Sequence, residues 1–258
     1  MLGRFLIIII STVLISACTS FKSSTDVGNE VLLSEQGISY KYMYCDKSKL
    51  NYLITFPKDY NPENSTYPLI VYLHSMAERG SDLNKLIYNQ EGQRNGISKY
   101  AIDNRIGKFI TISPLCPKGV YWSFLAKKIN RLLINVTREY SIDLDRIYLT
   151  GVSMGGMGTW SIAMKYPEWF AAIAPISGGI YKPFMSENIK DIQNIPIWIF
   201  HDKYDREIPI EKTANILKKL EEVNADVQIT IYEDGEHFLN ERVFEEGKIF
   251  EWFLQYIK

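Results

Sequence analysis

Arg146-Ile147-Tyr148-Leu149-Thr150-Gly151-Val152-Ser153-Met154-Gly155-Gly156-Met157-Gly158-Thr159-Trp160 is the stretch that decides how this chain is read. Arg146 to Thr150 is a β-branched and apolar run that predicts a strand. Gly151, Gly155 and Gly156 then surround Ser153, and a helix-compatible segment follows to about Tyr166. A serine in GxSxG between a strand and a helix has the context of a nucleophile elbow. The turn strains the serine backbone and lifts its Oγ clear of the sheet, which requires neighbours without bulky Cβ groups. A helix starting at Ser153 also turns its free N–H groups and positive dipole end toward the place where an oxyanion would form.

Outward from this stretch, strands alternate with helices. The candidate strands are Ser39 to Tyr44, Leu50 to Phe56, Leu69 to His74, Phe109 to Ser113, Arg146 to Thr150, Ala171 to Ile176, Ile197 to His201 and Val227 to Tyr232. Several are continuous apolar runs, as expected for a parallel sheet covered on both faces. Ser123 to Tyr140 carries Leu125, Ile129, Leu132, Leu133 and Val136 at helical spacing, and Ile210 to Val223 and Glu241 to Ile257 behave similarly. The expected class is therefore α/β, a mostly parallel doubly wound sheet flanked by helices, with ligands at the carboxyl ends of its strands.

A serine nucleophile needs a base, and the base needs an anion to fix its tautomer. The chain has three histidines. His74 and His201 each end an apolar strand, whereas His237 lies in the polar loop Glu233-Asp234-Gly235-Glu236-His237, from which it can reach over the sheet edge to Ser153. The acid is expected between the last two strands, where Asp202, Asp205 and Glu207 are available. Asp205, just before the helix that begins near Pro209, is preferred, and Asp202, directly after the strand-end His201, reads as held by local backbone bonds. The order Ser153, Asp205, His237 is one of those found for this kind of triad. The loop His74-Ser75-Met76-Ala77-Glu78-Arg79-Gly80 should supply the Met76 N–H as an oxyanion donor beside that of Met154. His74 then orients the loop, and Glu78 with Arg79 forms a bracing ion pair.

The segments LHSMAERGSD, SPLCPKGVYW, DRIYLTGVSMGGMGTW, FAAIAPISGG, IFHDKYDREIP and DGEHF extend from about residue 50 to the C-terminus. Together they resemble the α/β-hydrolase group of secreted esterases and predicted peptidases. That group includes poly(3-hydroxybutyrate) depolymerase and feruloyl esterase relatives, and it borders on phospholipase/carboxylesterases and the prolyl oligopeptidase catalytic domain. The resemblance implies the α/β-hydrolase fold, the triad Ser153, Asp205 and His237, and oxyanion donors after Leu69 and after Ile147. It also implies Trp122 as a residue lining the cleft, with a core tryptophan as the alternative. The family usually has glycine where this chain has Ser75 and Asp202.

The implied activity is hydrolysis of carboxylic esters, on a small-molecule or carbohydrate ester, through an acyl-enzyme and without a cofactor. A serine peptidase acting on short peptides and a non-catalytic surface-binding lipoprotein of the same fold are the competing readings.

The N-terminus reads separately. Arg4 precedes the apolar run Phe5 to Ile15, and Ile15-Ser16-Ala17 ends in small residues before Cys18. This is a secretory signal pattern, and ISAC also resembles a bacterial lipobox. Residues 1–17 are expected to be a lipoprotein signal peptide and Cys18 a lipidated anchor to the membrane of the cell envelope. Residues 18–36 are expected to be a flexible tether, with residues 37–258 the catalytic domain. Cys45 and Cys116 read as buried free thiols, with a disulfide between them as the alternative that an exported location permits, and no metal-ligand spacing occurs. The formal net charge of −1, with no lysine-arginine stripe, disfavours nucleic acid as a partner.

Overall fold

The apolar runs of the sequence form the middle of one nine-stranded sheet. The computed structural model describes residues 32–35, 38–180 and 183–258. The expected signal peptide, Cys18 and the tether as far as residue 31 lie outside the described residues.

In chain order the elements are β1 (Leu32–Glu35), β2 (Ile38–Cys45), β3 (Leu50–Phe56), β4 (Tyr67–Leu73), α1 (Gly96–Ile102), β5 (Ile110–Pro114), α2 (Trp122–Glu139), β6 (Ile142–Val152), α3 (Met154–Lys165), β7 (Ala172–Ile176), β8 (Ile197–Asp202), α4 (Ile210–Glu222), β9 (Val227–Tyr232), α5 (Asn240–Glu246) and α6 (Lys248–Phe253). The strands lie in the order β1-β2-β3-β5-β4-β6-β7-β8-β9. The pairings β1/β2, β2/β3 and β3/β5 are antiparallel, and every pairing from β5 to β9 is parallel.

Strand alternation divides the interior into two layers. Leu69, Val71 and Leu73 of β4, with Ile147 and Leu149 of β6, face the core shared with α2, α3 and α4. Ile70 and Tyr72, with Tyr148 and Val152, face the opposite core, filled by Tyr100, Phe244, Phe250 and Phe253. Each side chain of this size, fully buried, contributes roughly 1.5–3 kcal/mol. Helix α2 buries Leu125, Ile129, Leu132, Leu133 and Val136, the stripe its periodicity predicts. The α/β-hydrolase fold expected from the resemblance is the fold observed.

Three departures have physical causes. Leu32–Glu35, assigned from sequence to the tether, pairs with β2 from Leu32↔Lys41 to Glu35↔Ile38. Four residues hold too few alternations to announce a strand. The helix expected over Glu241 to Ile257 is broken at Gly247, whose φ of 73° puts it in the left-handed region and ends α5. Helix α1 passed unnoticed because it is only one face of seven residues, almost all of them buried. Cys45 and Cys116 are both buried free thiols.

The tightest packing lies under α3. A Cβ on Gly155 would sit 1.8 Å from the Leu73 carbonyl oxygen, and one on Gly156 2.5 Å from that of Ile176. The first turn of α3 therefore rests directly on the backbone ends of β4 and β7. Overpacking a rigid site costs 1–3 kcal/mol or more, and here the obstructing atoms are backbone. Gly155→Ala is expected to lose at least about 3 kcal/mol of stability in urea titration, and an unchanged midpoint would contradict the packing described.

Candidate active site

Strand β6 ends at Val152, and Ser153 turns the chain into α3 with φ 55° and ψ −115°. A non-glycine residue there stores on the order of 1–3 kcal/mol of strain. The conformation persists because both sides of the residue are fastened. The Ser153 N–H donates to the Ile176 carbonyl (2.9 Å), and the Ser153 carbonyl accepts from the Met157 N–H (2.9 Å) to begin the helix.

The loop after β9 carries His237 to this serine, with Nε2 2.7 Å from Ser153 Oγ. On the other side of the ring, Nδ1 lies 2.7 Å from Asp205 Oδ2. A carboxylate only accepts, so Nδ1 carries the hydrogen and Nε2 is free to accept the serine proton. The second Asp205 oxygen, Oδ1, accepts the N–H groups of Glu207 (2.8 Å) and Ile208 (2.9 Å), which fix the carboxylate plane. The Asp205 side chain is fully buried and that of His237 nearly so. Of the three acids offered by this loop, Asp205 is the one brought against His237 Nδ1. Asp202 spends its carboxylate on backbone N–H groups. Glu207 Oε2 stands 3.5 Å from His237 Nε2 on a side chain 62% exposed, which is too far and too wet for the orienting role.

His201 fastens the same loop from beneath. Its Nε2 donates to the Ile208 carbonyl (2.8 Å), and its Nδ1 accepts from the Thr213 hydroxyl (2.9 Å).

The loop after β4 is built around His74. Its Nδ1 donates to the Ser75 carbonyl (2.6 Å), and its Nε2 accepts the Cys116 N–H (3.0 Å). Burial holds the His74 pKa below the ordinary histidine value, against the opposing pull of Glu78. His74 thus orients the loop, as expected. Trp122 does not line the cleft: it is fully buried, its indole N–H donates to the His74 carbonyl (2.9 Å), and its ring meets the imidazole edge-on. A tryptophan at the start of a helix carries no sequence mark that separates a wall of the cleft from a brace behind it.

Glu78 and Arg79 likewise turn to different partners rather than to each other. Glu78 accepts from Ser75 Oγ (2.7 Å) and Asn95 Nδ2 (3.3 Å). Arg79 donates to the Met76 carbonyl from Nε (3.3 Å) and to the Val120 carbonyl from Nη1 (3.2 Å), and it lies over the Tyr121 ring. The Ser75 hydroxyl also accepts the Ala77 N–H (3.2 Å), so this side chain is a tie within the loop. Met76 follows in this loop, and Met154 is the first residue of α3, whose opening N–H groups have no carbonyl of their own helix to bond.

Beside these groups lies a cleft of about 680 Å³. It reaches Ser75, Val152 and Phe238, the immediate neighbours of the oxyanion loop, the serine and the base. Five carboxamides, four carboxylates and a single lysine line the remainder with Ala77 and Tyr88, so acidic and amide groups are set into a wall whose exposed surface is mostly apolar. Among the described residues, no group of three or more His, Cys, Asp or Glu side chains is arranged to hold a metal ion.

Comparison with known proteins places this geometry among hydrolases. The model of the dienelactone hydrolase family matches residues 119–247, which is half of the chain. Poly(3-hydroxyalkanoate) depolymerase C of Paucimonas lemoignei is 44% identical over 57 residues, covering 22% of this chain and 14% of that protein. The bifunctional acetylxylan esterase/xylanase XynS20E of Neocallimastix patriciarum is 30% identical over 115 residues, 43% of this chain and 16% of that protein. A thermostable esterase of known crystal structure superposes with a TM-score of 0.71 at 29% identity, over 86% of this chain and 64% of its own. The matches with the two curated relatives thus span less than a fifth of either protein.

His74 gives the site a pH signature. Its native pKa is depressed, so below about 6.5, the usual histidine value, the unfolded chain binds a proton that the native chain refuses, and stability falls with pH. Above that value the contribution is fully present. His74→Gln removes it, so the stability gap between wild type and this variant is expected to narrow as pH falls through about 6.5, measured by urea unfolding at pH 7.5 and 5.5. A gap that widens would mean that His74 is protonated in the native state.

Proposed function

The chain belongs to the dienelactone hydrolase family, and from that premise we propose that it hydrolyses carboxylic esters through a Ser153–His237–Asp205 triad and a covalent acyl-enzyme. The observation that carries this reading is the unbroken chain of contacts from Ser153 Oγ through His237 to Asp205, at 2.7 Å on either side of the ring.

In the first half-reaction Ser153 Oγ attacks the ester carbonyl carbon as its proton passes to His237 Nε2. The carbonyl oxygen becomes an anion and is held by the N–H groups of Met76 and Met154. Asp205 stabilises the imidazolium without taking its proton. Collapse breaks the bond to the alcohol oxygen, which receives the proton from Nε2 and leaves. Water then gives a proton to His237, attacks the acyl carbon, and restores the free Ser153 hydroxyl as the acid departs.

The carboxamides of the cleft support a hydroxyl-bearing alcohol or acyl portion, such as a sugar ester, whose carbon faces rest on the apolar part of the wall. Its carboxamides offer donors and acceptors at fixed places, while its excess of carboxylates repels an anionic substrate.

Ser153→Ala is expected to lower kcat on the order of 10⁶-fold and Asp205→Asn about 10⁴-fold, by analogy with serine proteases. Both should keep the wild-type thermal midpoint within a few degrees. A panel of nitrophenyl acetate, acetylated and feruloylated sugars and aminoacyl amides serves as the assay, with fluorophosphonate labelling of Ser153 beside it. Undiminished turnover in Ser153→Ala would refute the mechanism, and faster cleavage of the amides than of the esters would make the chain a peptidase.

We further propose export and anchoring through Cys18, on the strength of the Arg4, Phe5 to Ile15 and ISAC pattern. In a bacterial host, Cys18→Ser should abolish palmitate incorporation and release the protein from the membrane fraction. Equal labelling of variant and wild type would refute the anchor.

A further inference from the structure

Asp202 is wholly buried at the end of β8, yet among the described residues no cation is its partner. Its carboxylate is instead filled by three backbone N–H groups. Tyr204 donates to Oδ1 (2.7 Å), Asp234 donates to Oδ2 (2.9 Å), and Gly235 donates between both oxygens (3.1 Å to each). Tyr204 belongs to the loop that presents Asp205. Asp234 and Gly235 belong to the loop that presents His237. We infer that Asp202 is a positioning residue for the catalytic base, its carboxylate clasping together the two loops that must meet for Asp205 to reach His237.

The physical case rests on what each oxygen would otherwise face. A buried carboxylate is tolerated only when its oxygens are bonded, and charge-assisted bonds from N–H groups are about twice as strong as neutral ones. Gly235, with φ 78°, adopts a turn that directs successive N–H groups inward, so that the His237 loop closes over an anion. Besides the contact of Asp205 with His237, the Lys203 Nζ to Glu233 Oε1 pair at 3.0 Å also links these loops, but it is about half exposed on both sides and holds little. A glycine at 202 would leave the two loops joined at this point mainly by the Lys203 N–H to Tyr232 carbonyl bond (2.8 Å).

Asn at 202 keeps the shape but turns an NH₂ group toward backbone donors. A displacement of the base by about 1 Å costs on the order of 10²-fold in rate. Asp202→Asn and Asp202→Gly are each expected to lower kcat about 10–100-fold with KM changed less than about 2-fold. The low-field proton resonance of His237 Nδ1–H should shift or broaden in both, while Lys203→Ala leaves kcat and that resonance unchanged.

This inference rests on the triad reading, and the same assay keeps the two apart. If Ser153→Ala and Asp205→Asn abolish turnover while both Asp202 variants retain wild-type kcat and the wild-type resonance, the clasp is refuted and the triad stands. If Asp202→Asn costs as much as Asp205→Asn and removes the resonance altogether, Asp202 is the triad acid itself. Failure of both Asp202 variants to give a cooperative thermal transition would make the residue a requirement of folding rather than of positioning, and would equally overturn the inference.

Discussion

The contact on which the site depends is the one between the first turn of α3 and the Leu73 carbonyl, where Gly155 leaves no room even for a methyl group. Leu73 is the last residue of β4, and the oxyanion loop begins one residue later. The same contact therefore sets how closely the helix that opens at Ser153 approaches the loop that carries Met76. Gly158 of that helix lies against Trp122 Cβ, and Trp122 in turn holds the His74 carbonyl. Nucleophile, helix and oxyanion loop are thus parts of one rigid body, bounded by backbone atoms that cannot yield as side chains do.

The three histidines complete this body by holding different tautomers. His74 keeps its hydrogen on Nδ1 because the Cys116 N–H occupies Nε2. His201 keeps its hydrogen on Nε2 because the Ile208 carbonyl requires a donor there. His237 has the arrangement of His74, but the atom facing its Nε2 is a serine oxygen rather than an amide. One side chain type serves twice as a fixed bracket and once as a group able to exchange a proton. The difference lies in what the second nitrogen faces: the Cys116 N–H at His74, the buried Thr213 hydroxyl at His201 and the Ser153 hydroxyl at the mouth of α3 for His237.

The sequence made the central strands, α2, the elbow and the triad order legible because each is written in local terms. Continuous apolar runs mark covered strands, a 3.6-residue stripe marks α2, and GxSxG has a fixed context. Features that depend on distant partners were not legible. Trp122 reads the same whether it faces substrate or the back of a loop, and only the His74 carbonyl 48 residues away decides between them. Glu78 and Arg79 are neighbours in sequence but belong to opposite sides of their loop. Asp202 reads as held by local backbone bonds, and Tyr204 supplies one, yet the N–H groups that tie it to the second loop lie 32 and 33 residues further on.

Ser153 and its base are 84 residues apart, and the base hangs from β9, the outermost strand, which pairs only with β8. The elbow and the loop after β4 belong to the residues before β9, whereas Phe244, Phe250 and Phe253 of the second core follow it, and a serine without its imidazole is an ordinary alcohol. In the proposed mechanism the serine is activated only when the last strand docks and its loop folds back, a contact of long sequence separation, and such pairings are slow to form. A chain whose last strand has not docked thus holds Ser153 without its imidazole partner, and completion of the sheet edge is the moment at which the two meet.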